Sequence, residues 1–215
     1  MVAIITGDII ASRKLVNQEK WLSPLKNLFS TWGNSPKDWK LDRGDFFQVE
    51  ITHSEEVLIK ALEIKALIKK VAPLDERKKI STIDVRLAIG IGEKTYSGES
   101  ISESNGSAFI YSGDKFDVLK KENITLGIKS PWKSFDEEMN LYLKLVGTFM
   151  DKWSVSSAEI VEIVLKEPNI TQDKIGKQQL GIQQSAVSRR WNRANVNEIL
   201  EVEKMFKKKI QTLGL

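Results

Sequence analysis

The sequence predicts an α+β fold: strands and helices interleaved over residues 1–130, helices alone over residues 131–215. Three observations predict it. Short apolar runs, one from Met1 to Ile10 and one alternating from Ile83 to Ile91, have the pattern of strands. Ser130-Pro131-Trp132 breaks the chain, and no strand pattern follows it. Beyond that point apolar residues recur at helical spacing.

Taken in order, Met1 to Ile10 reads as a buried strand with Thr6-Gly7-Asp8 near its end. Lys14 to Trp32 has helical spacing, with Trp21, Leu22, Leu25, Leu28 and Phe29 on one side, until Asn34-Ser35-Pro36 breaks it. Trp39–Leu41 and Phe46–Thr52 read as strands joined around Arg43-Gly44-Asp45, a hairpin signal. Ser54 to Val71 is a helix, with Ser54 as its cap, Glu55 and Glu56 at its positive end, and Pro73 after it. Ile83, Val85, Leu87, Ile89 and Ile91 alternate with Asp84, Arg86, Ala88 and Gly90 in a half-buried strand. Ser107 to Lys121 is helical, and Ile124 to Ile128 is a last short strand. The first six elements of this β-α-β-β-α-β-α-β order match a ferredoxin-like split βαβ layer with helices on one sheet face. After the break come helices at Asp136–Trp153 and Ser156–Lys166, a third capped by Thr171, and a last one at Asn195–Gln211.

Composition narrows the chemistry. The 215 residues are 41% hydrophobic, enough for an ordinary core. The absence of cysteine excludes disulfides, thiolate catalysis and zinc-cysteine sites, and the single histidine, His53, excludes a multi-histidine metal site. The first residues run straight into a strand without a charged-then-apolar leader, and no apolar run reaches membrane length, so a soluble cytoplasmic protein without membrane partners is expected. The formal net charge is +4. From Lys166 to Leu215 there are 10 Lys/Arg against 5 Asp/Glu, so the basic excess belongs to the C-terminal segment. That is the footprint phosphate attraction needs, although a solvated lysine face has the same composition.

Within that segment Leu180-Gly181-Ile182 reads as a turn joining two short helices. The second begins with small and polar residues, has Val187 in its middle and arginines toward its end. This layout suits a helix-turn-helix whose second helix lies in a DNA major groove. Gly176 sits where the first helix must approach its partner, and Val187 faces the core. Gln183, Gln184, Ser185, Ser188 and Arg189 then face outward, where Gln pairs with adenine, Arg with guanine and Ser with base or phosphate. Arg190 and Arg193 suit phosphate contacts, and Trp191 anchors the helix inward. Lys177-Gln178-Gln179-Leu180 places one residue more than usual before the turn glycine, which a longer helix or turn could absorb. The competing reading is a packed three-helix bundle without DNA contact. The last helix packs on that bundle or pairs with a second subunit, since DNA-binding proteins of this class are often two-fold dimers.

In the first part, Asp8 ends the first strand and Asp45 lies in the hairpin turn, so a split βαβ layer brings the two carboxylates together. Such a pair can hold Mg²⁺ against phosphate oxygens. Gly7 and Gly44 leave room for close backbone approach, and Ser12 and Arg13 follow at the strand-to-helix connection, where helix amides attract phosphate. The alternative is that Asp8 caps the next turn and Asp45 is a surface turn residue. His53 at a strand end is incidental. Gly90-Ile91-Gly92 opens no helix and is no dinucleotide fingerprint.

Ile4-Ile5-Thr6-Gly7-Asp8-Ile9-Ile10-Ala11-Ser12-Arg13, Arg43-Gly44-Asp45-Phe46-Phe47-Gln48, Arg86-Leu87-Ala88-Ile89-Gly90-Ile91-Gly92 and Gly106-Ser107-Ala108-Phe109 together resemble the SatD family, and the likeness runs on through the helix-turn-helix. It implies a bacterial or archaeal cytoplasmic DNA-binding regulator. The N-terminal half is also distantly similar to class III nucleotidyl cyclase domains. There two aspartates hold two metal ions, and Asp8 and Asp45 fall on the matching positions. The cyclase pattern has a base-reading lysine four residues before its hairpin aspartate, where this chain has Leu41. It has a transition-state asparagine and arginine where Phe109-Ile110-Tyr111-Ser112-Gly113 offers neither. The expectation is therefore a DNA-binding regulator with a ligand-sensing or dimerising cyclase-like domain, which takes a nucleotide or phosphorylated small molecule, with Mg²⁺ as the candidate cofactor. The rivals are a metal-dependent cyclase or phosphotransferase and a protein-interaction module.

Overall fold

Five strands form one mixed sheet in the computed structural model, which describes residues 1–42, 44–73 and 79–213. They are β1 (Val2–Ile10), β2 (Trp39–Asp42), β3 (Phe46–Ile51), β4 (Asp84–Gly92) and β5 (Leu126–Lys129), in the order β2-β3-β1-β4-β5. β1 is central and antiparallel to both β3 and β4, while β5 runs parallel to β4 at the edge. Eight α-helices accompany the sheet among the described residues: α1 (Glu19–Ser30), α2 (Val57–Lys69), α3 (Ser107–Glu122), α4 (Lys133–Met150), α5 (Val155–Lys166), α6 (Gln172–Lys174), α7 (Gln184–Ala194) and α8 (Val196–Thr212). Among these residues no helix is long and apolar enough to cross a membrane.

The alternation of each strand decides which helix covers which face. Ala3, Ile5, Phe47, Val49, Leu87 and Ile89 join the main apolar cluster together with Trp21, Leu25 and Phe29 of α1 and the buried face of α2. Phe29 meets Phe47 with ring centroids 5.2 Å apart. On the opposite face lies α3, whose Ser112 hydroxyl accepts a 3.0 Å hydrogen bond from Thr6. β4 is thus buried on both faces rather than half-buried as its alternation suggests. Its second face carries Ala88, Gly90 and Gly92 because α3 presses directly on it. A Cβ on Gly90 would collide with the backbone of Ala108 and Ser112.

Three helix starts differ from expectation, α4 among them, which spans Lys133–Met150 rather than Asp136–Trp153. The first α-helix begins at Glu19, not Lys14. Residues Ser12–Lys14 form a single 3-10 turn entered through Ala11 at φ 61°, and Asn17 then accepts from the Glu19 amide at 3.0 Å. Ser54 caps nothing: it is buried in a second 3-10 turn, Ser54–Glu56, and α2 starts at Val57. The hairpin residue Arg43 lies outside the described residues.

The break at Ser130 changes the secondary structure without dividing the core. One apolar cluster runs from Ala3 to Ile210. α2 packs on α5, and α8 reaches back to the 3-10 turn at Ser54–Glu56. The apolar stripe of α8 is buried within the same chain, against α4, where Phe206 meets Phe135 at 6.0 Å. Between the two parts lies a polar joint. Lys65 donates to Asp84 at 2.7 Å and to Asp151 at 2.6 Å. Lys69 donates to Asp84 at 3.2 Å and to the Asp151 carbonyl at 2.7 Å. Buried lysines persist only with such partners, since an unpaired buried charge costs several kcal/mol.

Candidate nucleic-acid interface and the carboxylate pair

The helices around α7 are built from local signals. Ser154 caps α5 by accepting from the Ser157 amide at 3.1 Å, and Thr171 caps α6 by accepting from the Lys174 amide at 3.3 Å. α6 then continues without a break as a π-helical stretch, Ile175–Leu180. The wider π turn takes up one extra residue per turn, which is how the chain absorbs the surplus before Gly181. Gly181 closes the stretch at φ 62°, a left-handed conformation that a side chain would strain, and the Ile182 amide donates back to the Gly176 carbonyl at 3.0 Å. Gly176 needs its missing side chain for another reason. A Cβ there would lie 2.5 Å from the Ile182 carbonyl oxygen and 3.4 Å from Val187.

α7 has two chemically distinct sides. Val187 and Ala194 are buried, and the Ala194 carbonyl accepts from the buried Trp153 indole at 3.0 Å. Gln183, Gln184, Ser185, Arg189, Asn192 and Arg193 are exposed, and Ser188 is half-buried. Gln184 donates to Gln172 at the start of α6 at 2.9 Å. Arg190 does not stand free. It is half-buried and pairs with Glu159 of α5 at 2.9 Å, so it fastens α7 to α5. Trp191 is half-buried against the core, its indole donating to Asn197 at 2.9 Å. Arg189 and Arg193 form no ion pair among the described residues.

In the sheet part of the molecule, Asp8 and Asp45 do approach each other. The Asp45 carbonyl accepts from the Ile9 amide at 3.0 Å, and its carboxylate accepts from the buried Ser12 hydroxyl at 2.9 Å. Asp8 stands opposite Arg86 across the β1–β4 ladder, and one guanidinium nitrogen donates to both of its oxygens, at 3.1 and 3.3 Å. Burial holds the Asp8 carboxyl above its ordinary range. Arg86 and Lys120 pull it back, and the neighbouring Asp45 pushes the same way as burial. The charge that a divalent cation would neutralise on Asp8 is thus met by Arg86. In this arrangement the pair does not fit a Mg²⁺ site. Gly7 leaves its space to the Phe47 ring rather than to a phosphate. Gly44, at φ 86°, has open space around it. Arg13 is exposed on the 3-10 turn, and the helix amides expected beside it begin only at Glu19.

Arg86 was legible as a polar residue in an apolar strand, but its pairing with Asp8 depends on register between strands more than seventy positions apart in the chain. The Lys65 and Lys69 joint left a clearer trace: two lysines at i and i+4 inside a helix otherwise buried require carboxylates nearby. The chain matches no family model, no curated protein and no solved structure in the comparisons made.

Proposed function

We propose that this protein is a cytoplasmic DNA-binding regulator of the SatD type, that α7 enters the major groove, and that a homodimer reads a two-fold site. The observation that carries the reading is the division of α7. Val187 and Ala194 hold it to the fold while Gln183, Gln184, Ser185, Arg189 and Arg193 stand in solvent. Exposed glutamines and arginines on a helix seated this way match base and phosphate edges. Arg189 and Arg193 are the exposed cations of α7, and Arg190 acts through its pairing with Glu159. On this reading residues 131–215 are a helix-turn-helix domain. The antiparallel order β4-β1-β3-β2, with α1 and α2 on one face, supports a ferredoxin-like split βαβ layer for residues 1–130, serving as the sensing or dimerising part. Arg86 on Asp8 weighs against the rival metal-dependent cyclase or phosphotransferase.

The test is duplex binding by Arg189→Glu, titrated with mixed-sequence DNA over a range of salt. Loss of duplex binding with a changed salt dependence is the expected outcome. Unchanged affinity and slope in a natively folded variant sinks the assignment.

A further inference from the structure

A groove of about 1000 Å³ opens between α1, α2, α5 and α8, on the sheet face that α1 and α2 cover, opposite the face that carries Asp8. Its floor is apolar, made by Leu28, Trp32, Ile59, Leu67 and Leu165. Its rim is cationic: Lys20, Lys60, Lys70, Lys166 and Lys207 line it against Glu56, Glu63 and Glu162. Lys207 is answered from outside the groove by Glu203 at 2.7 Å, and the other four lysines face three carboxylates. Lys70 and Lys166 share the single carboxylate of Glu162, the latter at 3.1 Å. Lys60 stands 3.6 Å from Glu63 and 5.1 Å above the Trp32 ring. Burial pushes the Glu63 carboxyl up, with Lys60 pulling it back. The size is that of a small-molecule cavity, and an apolar floor under a few convergent charges is how such cavities orient a ligand.

We propose that this groove binds a small amphipathic anion, an apolar body lying over Trp32 and Leu67 with one anionic head held by the rim lysines. Binding has a route to α7. α5 carries Glu162 and Lys166 on the groove and, one turn earlier, Glu159, which pairs with Arg190 of α7 at 2.9 Å. A head group that draws Lys70 and Lys166 away from Glu162 therefore acts on the helix that seats α7. This regulatory consequence rests on the proposed role of α7; the binding itself does not.

The experiment titrates the full chain with anilinonaphthalene sulfonate, a flat apolar body with one anionic head, beside its uncharged relative phenylnaphthylamine. Expected are saturable binding of one sulfonate per chain, energy transfer from tryptophan, and affinity about tenfold weaker for the neutral probe. Lys166→Glu and the milder Lys166→Gln should each weaken the sulfonate, the first about tenfold, while Lys144→Glu on α4 leaves it unchanged. Equal affinity for the two probes, non-saturable uptake, or affinity unmoved in natively folded Lys166 variants overturns the proposal. Duplex titrations with and without the sulfonate separate the two ideas. A chain that binds the sulfonate as described but no DNA keeps the groove and loses the reading of α7.

Discussion

The exposed side of α7 and the corner around Asp8 both carry arginine and serine and differ in what answers their charges. At the corner both carboxylates are met inside the chain: Arg86 on Asp8, Ser12 on Asp45. On α7, Arg189 and Arg193 stand in water. Charges that folding itself neutralises have little left to offer a ligand without unfolding part of what holds them. Charges that folding leaves exposed contribute little to stability and remain available to a partner. Arg190 shows both outcomes side by side, since it is one residue from Arg189 and yet is tied to Glu159.

The largest effect is expected at Arg86. Arg86→Ala leaves the Asp8 carboxylate partly buried without a partner, and chemical denaturation should show a loss of about 3 kcal/mol. A loss under about 0.5 kcal/mol, the range of ordinary surface changes, would mean the corner is not built around that pair. Next comes Gly176→Ala. The new Cβ would sit 2.5 Å from a backbone carbonyl of the turn, so about 2 kcal/mol of stability and the seating of α7 should both suffer, read by thermal melting and by duplex affinity.

A pH titration sharpens the contrast. Burial raises the Asp8 carboxyl above its ordinary value of 3.8. The folded state then holds the proton more tightly than the unfolded chain. The resulting stabilisation is complete below 3.8 and fades as pH rises through the folded-state value. Relative to Asp8→Asn, the wild type should lose denaturant resistance as pH climbs out of the acid range, and parallel curves would refute the assignment. The smallest stability effect belongs to Arg189→Ala, expected within about 0.5 kcal/mol of wild type while duplex affinity falls. Arg190→Ala should reverse the order, with the larger share of its effect on melting.

Much of the architecture was legible before the structure. β1, β3, α3, α5 and the Thr171 cap follow from apolar period and capping residues, because these are set by neighbours a few positions away. The surplus residue before Gly181 was visible, while its absorption in a π turn was not, since α and π hydrogen bonding differ by one residue of register that composition does not encode. β4 read as half-buried because Ala88, Gly90 and Gly92 carry no apolar bulk. Those small residues in fact admit α3, a contact between segments that local pattern cannot announce.

Local period, turn chemistry and charge placement in the chain alone determined the α+β order, the late all-helical stretch and the polar, cationic side of α7. Tertiary structure decided which charges survive as available. Strand register set Arg86 against Asp8, helix packing set Glu159 against Arg190, and the meeting of α1, α2, α5 and α8 made a lysine-rimmed groove from residues that no motif connects. The physical reason is range. Propensity and capping act within a few residues, whereas a charge is neutralised by whatever the fold brings within about 4 Å of it.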